Sequence, residues 1–269
     1  MEPLASAWDA IAARVARADA VAVGLDFDGT LTPLRERPEI VELEPETRDV
    51  LRRLADVPGV TVAVVSGRAL ADLEARLAVP GAILVGNHGF ERRLPGGPVR
   101  LVLGGADLEA VRAAARALEA AAGGIPGVWV EDKGPTLALH HRQVAPELRE
   151  GLCAAVRAAA ARLPPAVRVD EGHRVFDLRP AVPAVTKGTA FREVLAEAGV
   201  PAGAMRWYFG DDVTDEDAFA ALPADAVTVR VGDPGGRSAA RYGAADPAEV
   251  VRRLDALREA AARRPAAGR

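Results

Sequence analysis

The sequence predicts an α/β protein: a Rossmann-like core built on a parallel sheet, with a smaller α/β domain inserted into it. Three observations predict this. Apolar runs of strand length alternate with amphipathic, helix-length segments between residues 21 and 85 and again from 187 to 262, the rhythm of parallel strands joined by crossover helices. Between those stretches the order changes to helix-strand-strand-helix-strand-strand, a self-contained unit of four antiparallel strands and two helices. Polar residues gather where the core's apolar runs stop, the sheet edge at which open α/β folds place their chemistry. The boundaries are expected at 1–103 and 180–269 for the core and 104–179 for the inserted domain.

The elements follow in order. Residues 5–18 are Ala-rich and helical in spacing. Val21 to Leu25 is apolar on both parities, which marks a strand buried on both faces, and it ends in Asp26-Phe27-Asp28-Gly29-Thr30. After Pro33 and Pro38, Glu44-Pro45-Glu46-Thr47 opens a helix, with proline and acids in its first turn. Val60 to Val65 is a second strand, ending in Ser66-Gly67-Arg68. A helix through Leu77 and a third strand, Ala82 to Val85, lead to Gly86-Asn87-His88-Gly89. In the insert, helices are expected over 106–122 and 146–163. The hairpins are 128–131 with 136–140, turned at Lys133-Gly134-Pro135, and 167–169 with 174–178, turned around Glu171-Gly172. The core resumes with a helix from Lys187 and a strand, Met205 to Phe209, ending in Gly210-Asp211-Asp212. Thr214 to Asp217 opens a further helix in a capping-box pattern. A strand over 227–231 and a helix over 247–262 close the chain, and the last few residues are expected to fray.

Composition narrows the function classes. The 269 residues carry a net charge of −4 with no basic run beyond Arg263-Arg264, so nucleic acid is not an expected partner. No stretch of eighteen apolar residues suggests a membrane span, and no secretory signal is visible at the start. The single cysteine, Cys153, excludes an internal disulfide, fits a reducing cytoplasm and reads as a small core residue. Of 34 basic residues only Lys133 and Lys187 are lysine. A chain that otherwise uses arginine has reason to keep a compact ammonium at those places, because the two cations are not equivalent.

Four signals stand at strand ends or helix starts: Asp26 with Asp28, Ser66, Lys187, and Asp211 with Asp212. Taken singly, each has a plain structural reading as a turn, loop or helix-start residue. Asp215, Glu216 and Asp217 read as charges that favour the helix macrodipole. Taken together and in this order they suit phosphoryl transfer. A carboxylate can attack phosphorus and form an acyl phosphate. A second carboxyl can protonate the leaving alkoxide and later activate water. Because an anion attacks an anion, a hard cation such as Mg²⁺, a lysine, a hydroxyl and backbone amides are needed to hold the phosphoryl oxygens.

These motifs resemble those of the haloacid dehalogenase superfamily. The resemblance implies Asp26 as nucleophile and Asp28 as general acid/base, with Ser66 and Lys187 holding the phosphoryl group. It also implies Mg²⁺ bound by Asp26, the Asp28 carbonyl and Asp211, supported by Asp212. The second aspartate, two residues after the first, resembles the phosphatases and phosphomutases rather than the dehalogenases. A narrower likeness runs from Leu31-Thr32-Pro33 through Val64–Arg68, Gly86–Glu91, Val130–Gly134, Leu139–Arg142 and Leu178-Arg179-Pro180 to Gly210–Phe219. It is similar to the trehalose-6-phosphate phosphatase family. That similarity implies a cytoplasmic, monomeric, Mg²⁺-dependent enzyme of trehalose biosynthesis acting on a small-molecule sugar phosphate through an Asp26 phosphoenzyme. The inserted domain would act as a cap whose closure excludes water. The cap residues Glu131, Lys133 and Arg142 would hold sugar hydroxyls, and Asp177 stands where the family more often has Glu. Thr186 stands where it more often has Asp or Asn, and His141 where it commonly has Tyr. Glu131 and Lys133 share strand parity, which suits either a surface ion pair or a donor and acceptor set for vicinal hydroxyls. Asn87 and His88 are placed near the presumed cleft, with a satisfied core histidine the alternative for His88; His140 and His173 are read as structural. The alternatives carried alongside are a phosphatase of another glycosyl phosphate, such as sucrose 6-phosphate or glucosylglycerol phosphate, and a non-catalytic sugar-phosphate-binding module.

Overall fold

The computed structural model describes residues 1–35, 40–172, 174–182, 185–232 and 237–264. Pro38, His173 and the last five residues fall outside them. The chain forms two compact units, Met1–Arg100 with Val185–Arg269, and Leu101–Ala184. The second unit extends a few residues beyond the expected 104–179 at each end.

The first unit opens with β1 (Glu2–Pro3), α1 (Leu4–Val15), β2 (Val21–Leu25), α2 (Pro45–Ala55), β3 (Val60–Val65), α3 (Leu70–Leu77), β4 (Ile83–Gly86), β5 (Glu91–Arg93) and β6 (Arg100–Leu101). It resumes after the insert with α6 (Lys187–Glu197), β11 (Met205–Gly210), α7 (Val213–Ala221), β12 (Val227–Val231), β13 (Tyr242–Ala244) and α8 (Pro247–Ala262). The sheet order is β1-β13-β12-β11-β2-β3-β4-β5-β6, with parallel pairing from β1 through β4 and an antiparallel turn back at β5. β2 therefore lies between β11 and β3, where the winding reverses direction. Such a switch point leaves a crevice at the carboxyl ends of the strands.

Side-chain parity builds the two layers over the sheet. Val21, Val23 and Leu25 of β2 join a core with Leu51 and Leu54 of α2, Leu73 of α3 and Leu254 of α8. Ala22 faces the other way, into a core with Phe191 and Val194 of α6 and Phe219 of α7. Burying each large aliphatic side chain contributes about 1.5–3 kcal/mol relative to leaving it in water. The strands that the sequence did not announce are β1, β5, β6 and β13, each two or three residues long. β5 is Glu91-Arg92-Arg93, and beyond it the two-residue β6 ends the sheet, a very short end strand of the kind that blunts a sheet edge. Too few residues are involved for period-2 alternation to show.

The second unit is α4 (Gly105–Ala121), β7 (Trp129–Asp132), β8 (Leu137–His140), α5 (Pro146–Ala160), β9 (Val167–Gly172) and β10 (Val175–Pro180). Its sheet order is β7-β8-β10-β9, antiparallel throughout. Asp132 shapes the first turn by accepting the Gly134 N–H at 2.8 Å. β9 continues through the residues expected to turn, and Arg174 takes a left-handed φ of 62° before β10. Val111, Leu118, Leu139, Leu152 and Phe176 form the core, with Cys153 packed against it.

His141 sits 5 % exposed beside Phe176, ring centroids 5.4 Å apart. Neither ring nitrogen has a hydrogen-bond partner among the described residues. Burial holds its pKa below the ordinary histidine value, against the opposing charge of Glu171 and with help from Arg149, Arg174 and His140. A depressed histidine pKa favours the folded state above the unfolded value of about 6.5, and that advantage is lost as pH falls. His141→Phe should therefore gain stability relative to the parent as pH is lowered from about 6.5 to about 5, measured by denaturant unfolding. A difference that stays flat across this window would contradict the reading.

Candidate active site

The carboxyl ends of β2 and β11 carry the centre. The register Leu25↔Phe209 and the bond from Asp26 N–H to the Phe209 carbonyl, 2.9 Å, set Asp26 beside Gly210-Asp211. After Asp26 the chain turns tightly: Leu31 and Thr32 N–H both return to the Phe27 carbonyl, and Gly29 N–H donates to that of Thr32. Gly29 has φ +84°, and a Cβ there would fall 2.0 Å from Asp211 Oδ2, so only glycine lets the turn approach that carboxylate. Thr30 Oγ1 donates to Asp211 Oδ1 at 3.4 Å.

Lys187 reaches the same place as the first residue of α6. Thr186 caps that helix, its hydroxyl accepting the Thr189 N–H at 3.2 Å while Thr189 Oγ1 accepts the Thr186 N–H at 2.9 Å. The threonine thus fills the capping role with no acid. Lys187 Nζ, 4 % exposed, donates to Asp26 Oδ1 at 2.6 Å and to Asp215 Oδ1 at 2.9 Å.

Asp215 keeps its helix-start place, in the first turn of α7, and is drawn into the centre as well. It is fully buried, accepts from Tyr208 Oη at 3.2 Å and takes the Asp212 N–H at 3.1 Å. α7 begins at Val213 with Asp212 as its N-cap, one residue ahead of the expected start at Thr214, and this turns Asp215 inward. A Cβ on Gly210 would lie 2.3 Å from the Asp215 carboxyl carbon, so Gly210 makes room for it. Asp26, Asp211 and Asp215 each offer an oxygen within 4.8 Å of the others. The Asp212 side chain is exposed, and what that residue brings inward is its backbone, whose carbonyl accepts from Arg230 Nη1 at 2.9 Å.

Charge decides what this cluster wants. Three carboxylates surround one ammonium, an excess of two negative charges in a buried place. Burial disfavours the charge on Lys187, but Asp215 and Asp26 outweigh it and raise its pKa. Burial pushes Asp26 well above the carboxylate range in spite of Lys187. Burial and Asp215 push Asp211 up to about 6. Hard oxygen donors and a two-charge deficit suit a divalent hard cation such as Mg²⁺, which Asp26 and Asp211 could hold.

Asp28 belongs to the same turn as Asp26, and Ser66 to the neighbouring loop after β3. Arg68 grips Asp28 with two bonds, Nε to Oδ2 and Nη2 to Oδ1, both 2.6 Å, and reaches Asp72 with Nη1 at 2.7 Å. Its guanidinium also lies over the Phe27 ring, 5.3 Å from the centroid. Ser66 is buried, and its hydroxyl accepts the Arg68 N–H at 3.1 Å. The Asn87-His88 turn packs on this loop: Asn87 N–H donates to the Arg68 carbonyl and His88 N–H to that of Ser66, at 2.7 and 2.9 Å. Both residues take left-handed φ, 47° and 57°, a strain of the kind found at functional sites. Glu91 holds the turn, accepting from Asn87 Nδ2 at 2.6 Å and from the Leu70 N–H that starts α3 at 2.8 Å.

In the second unit a separate polar group lies on the sheet face opposite its core. Lys133 Nζ is 3.8 Å from Glu131 Oε2 and 3.7 Å from Asp177 Oδ1. Burial raises the Asp177 pKa against the pull of Lys133. His140, read from sequence as structural, joins this group: its Nε2 is 2.8 Å from Glu131 Oε2. Arg142, half-buried two residues past β8, offers its carbonyl to Arg149 Nη2 at 3.5 Å.

The trehalose-phosphatase family model matches residues 24–235. The trehalose-phosphate phosphatase of Mycobacterium tuberculosis is 38% identical over 242 residues, covering 88% of this chain and 61% of that protein. The chain thus spans about three fifths of the length of the mycobacterial trehalose-phosphate phosphatases it matches. The C-terminal domain of Candida albicans trehalose-6-phosphate phosphatase has the same fold, with a TM-score of 0.79 over 93% of this chain and 96% of that one at 20% identity. An Aspergillus fumigatus trehalose-6-phosphate phosphatase, 26% identical, superposes with a TM-score of 0.65 over 92% of this chain and 96% of that one. With its motif residues gathered at the switch point of a two-unit α/β fold, the chain belongs to the trehalose-phosphatase family.

Proposed function

We propose that this chain hydrolyses trehalose 6-phosphate to trehalose and phosphate by way of an Asp26 acyl phosphate. The observation that carries the reading is the ammonium of Lys187 shared between Asp26 and Asp215 beside a third carboxylate, in a chain of this family. An Asp26 oxygen attacks phosphorus, the ester oxygen leaves, and Asp28 supplies its proton. Asp28 then takes a proton from the water that opens the acyl phosphate and frees phosphate. To do either, Asp28 must leave the two-pronged grip of Arg68, since both of its oxygens are committed there. Lys187 keeps Asp26 turned toward the crevice and offsets negative charge on the transferring group. The Ser66 hydroxyl and the backbone amides of the loop after Asp26 offer further donors. Mg²⁺ held by Asp26, Asp211 and the Asp28 carbonyl would supply the remaining charge neutralisation when bound. Glu131, Lys133, Arg142 and Asp177 supply hydroxyl donors and acceptors for the sugar.

The test is phosphate release from a panel of trehalose 6-phosphate, sucrose 6-phosphate, glucosylglycerol phosphate and glucose 6-phosphate, with Mg²⁺ and with excess chelator. Trehalose 6-phosphate should be turned over fastest, activity should vanish with chelator, and added Mg²⁺ should restore it. A faster rate on another ester would reassign the substrate. Undiminished rates in chelator would remove the metal from the reading.

A further inference from the structure

The open face of the small sheet carries two adjacent rows of side chains with different chemistry. Cross-strand register defines them. One row runs Glu131–Ala138–Asp177–Asp170. Ala138, fully buried at its middle, leaves a shallow place between the Glu131 and Asp177 carboxylates that Lys133 spans. The next row on the same face, two residues along or about 7 Å away, runs Trp129–His140–Val175–Gly172. It is aromatic and apolar where the first is ionic.

Trp129 is the outlying member. It is 39 % exposed, and it is not a loose surface residue. Its ring stacks on His140, centroids 4.1 Å apart and planes within 15°. His140 is itself 7 % exposed and pinned through Nε2 to Glu131. One indole face is thus covered by a fixed imidazole, while the residue retains substantial exposure. An indole with one face packed and the ring still partly exposed leaves apolar area whose burial by a ligand would be favourable. The amphipathic body of an indole suits a ligand that presents both C–H groups and hydroxyls.

We propose that Trp129 is a stacking platform for a pyranose ring, held in place by His140, and that it sets the preference of this face for a disaccharide over smaller esters. The proposal deepens the sugar-phosphate reading above and rests on it. A glucopyranose with equatorial hydroxyls shows flat patches of axial C–H on its two faces and a rim of hydroxyls. The C–H patch lies on the indole, and the rim reaches Glu131, Lys133 and Asp177 in the adjacent row. His140 is a positioning residue: it fixes the indole from beneath and the Glu131 carboxylate from the side. The sequence reading did not single out Trp129, because a tryptophan at a strand start is more often a core residue.

The experiment uses the intact chain. Trp129→Ala should raise KM for trehalose 6-phosphate about tenfold, equivalent to about 1.4 kcal/mol, with kcat within about twofold of the parent. Trp129→Phe, which keeps a flat aromatic face, should recover most of that loss. An independent readout avoids turnover altogether. Adding trehalose, which has no phosphate, should change the tryptophan emission of the parent saturably, and Trp129→Phe should abolish the change because Trp8 and Trp207 pack in the core of the larger unit. An unchanged KM in Trp129→Ala, or an emission change that survives Trp129→Phe, overturns the platform. A parent that hydrolyses no disaccharide phosphate but does hydrolyse other esters overturns the substrate reading instead, so the two failures are told apart.

Discussion

Asp26→Asn is expected to abolish phosphate release while leaving the fold intact. The amide is nearly isosteric with the carboxylate but has no nucleophilic charge to bring to phosphorus, so turnover should fall on the order of 10⁴-fold or more, as for loss of other covalent nucleophiles. Stability should barely change. Asn keeps an oxygen to accept from Lys187, now 2.6 Å from Asp26 Oδ1. It also removes one negative charge from a buried cluster that has too many. A midpoint of thermal unfolding within about 4 °C of the parent is expected. Substantial residual activity would sink the acyl-phosphate route, and a collapsed midpoint would mean that Asp26 is chiefly structural.

Lys187→Met is expected to fail on both counts. The ammonium is 4 % exposed, between two carboxylates that are themselves almost wholly buried. Its removal leaves those carboxylates unbalanced, and breaking a buried pair from one side costs about 3–5 kcal/mol. For a chain of this size that lowers the unfolding midpoint on the order of 10 °C. Activity should be lost as well, since on the proposed route this is the cation that offsets charge on the transferring group. Adding Asp215→Asn to Lys187→Met relieves one stranded charge, so the double variant should recover part of the midpoint and none of the activity. Equal midpoints for the single and double variants would contradict the charge account.

Much of this centre was legible in the chain because its parts are local motifs. A strand apolar on both parities ends at Asp26, and the glycine after Asp28 announces a turn that only it can make. Asp211 follows its own strand in the same way. Lys187 was visible as one of two lysines and stands at a capped helix start. The burial of Asp215 was missed because its sequence context, an acidic first turn, is also that of an ordinary exposed helix start. What buries it is the placement of Tyr208 and Lys187, and tertiary neighbours leave no trace in a local window. Arg68 was quoted as part of a loop, yet its grip on Asp28 joins residues forty apart. Glu91 was likewise given no role; its bonds to Asn87 and Leu70 depend on β5, a three-residue strand too short to announce itself. The hairpins of the small unit were anticipated, and the two rows on its sheet face emerge only once register is known.

The two lysines make a pair in another sense. Each holds its ammonium between two carboxylates, Lys187 between Asp26 and Asp215, Lys133 between Glu131 and Asp177. Every other positive side chain at neutral pH is a guanidinium. Amine chemistry on this protein is therefore confined to its N-terminus and its two charge networks. A mild acylating reagent has no sacrificial lysines on the outer surface to consume it. Lys133, with an 18 % exposed side chain against 3 % for Lys187, is the ε-amino group such a reagent meets first. Labelling located at Lys133, told apart from that of the N-terminal amine, thus reports on the small sheet's polar row.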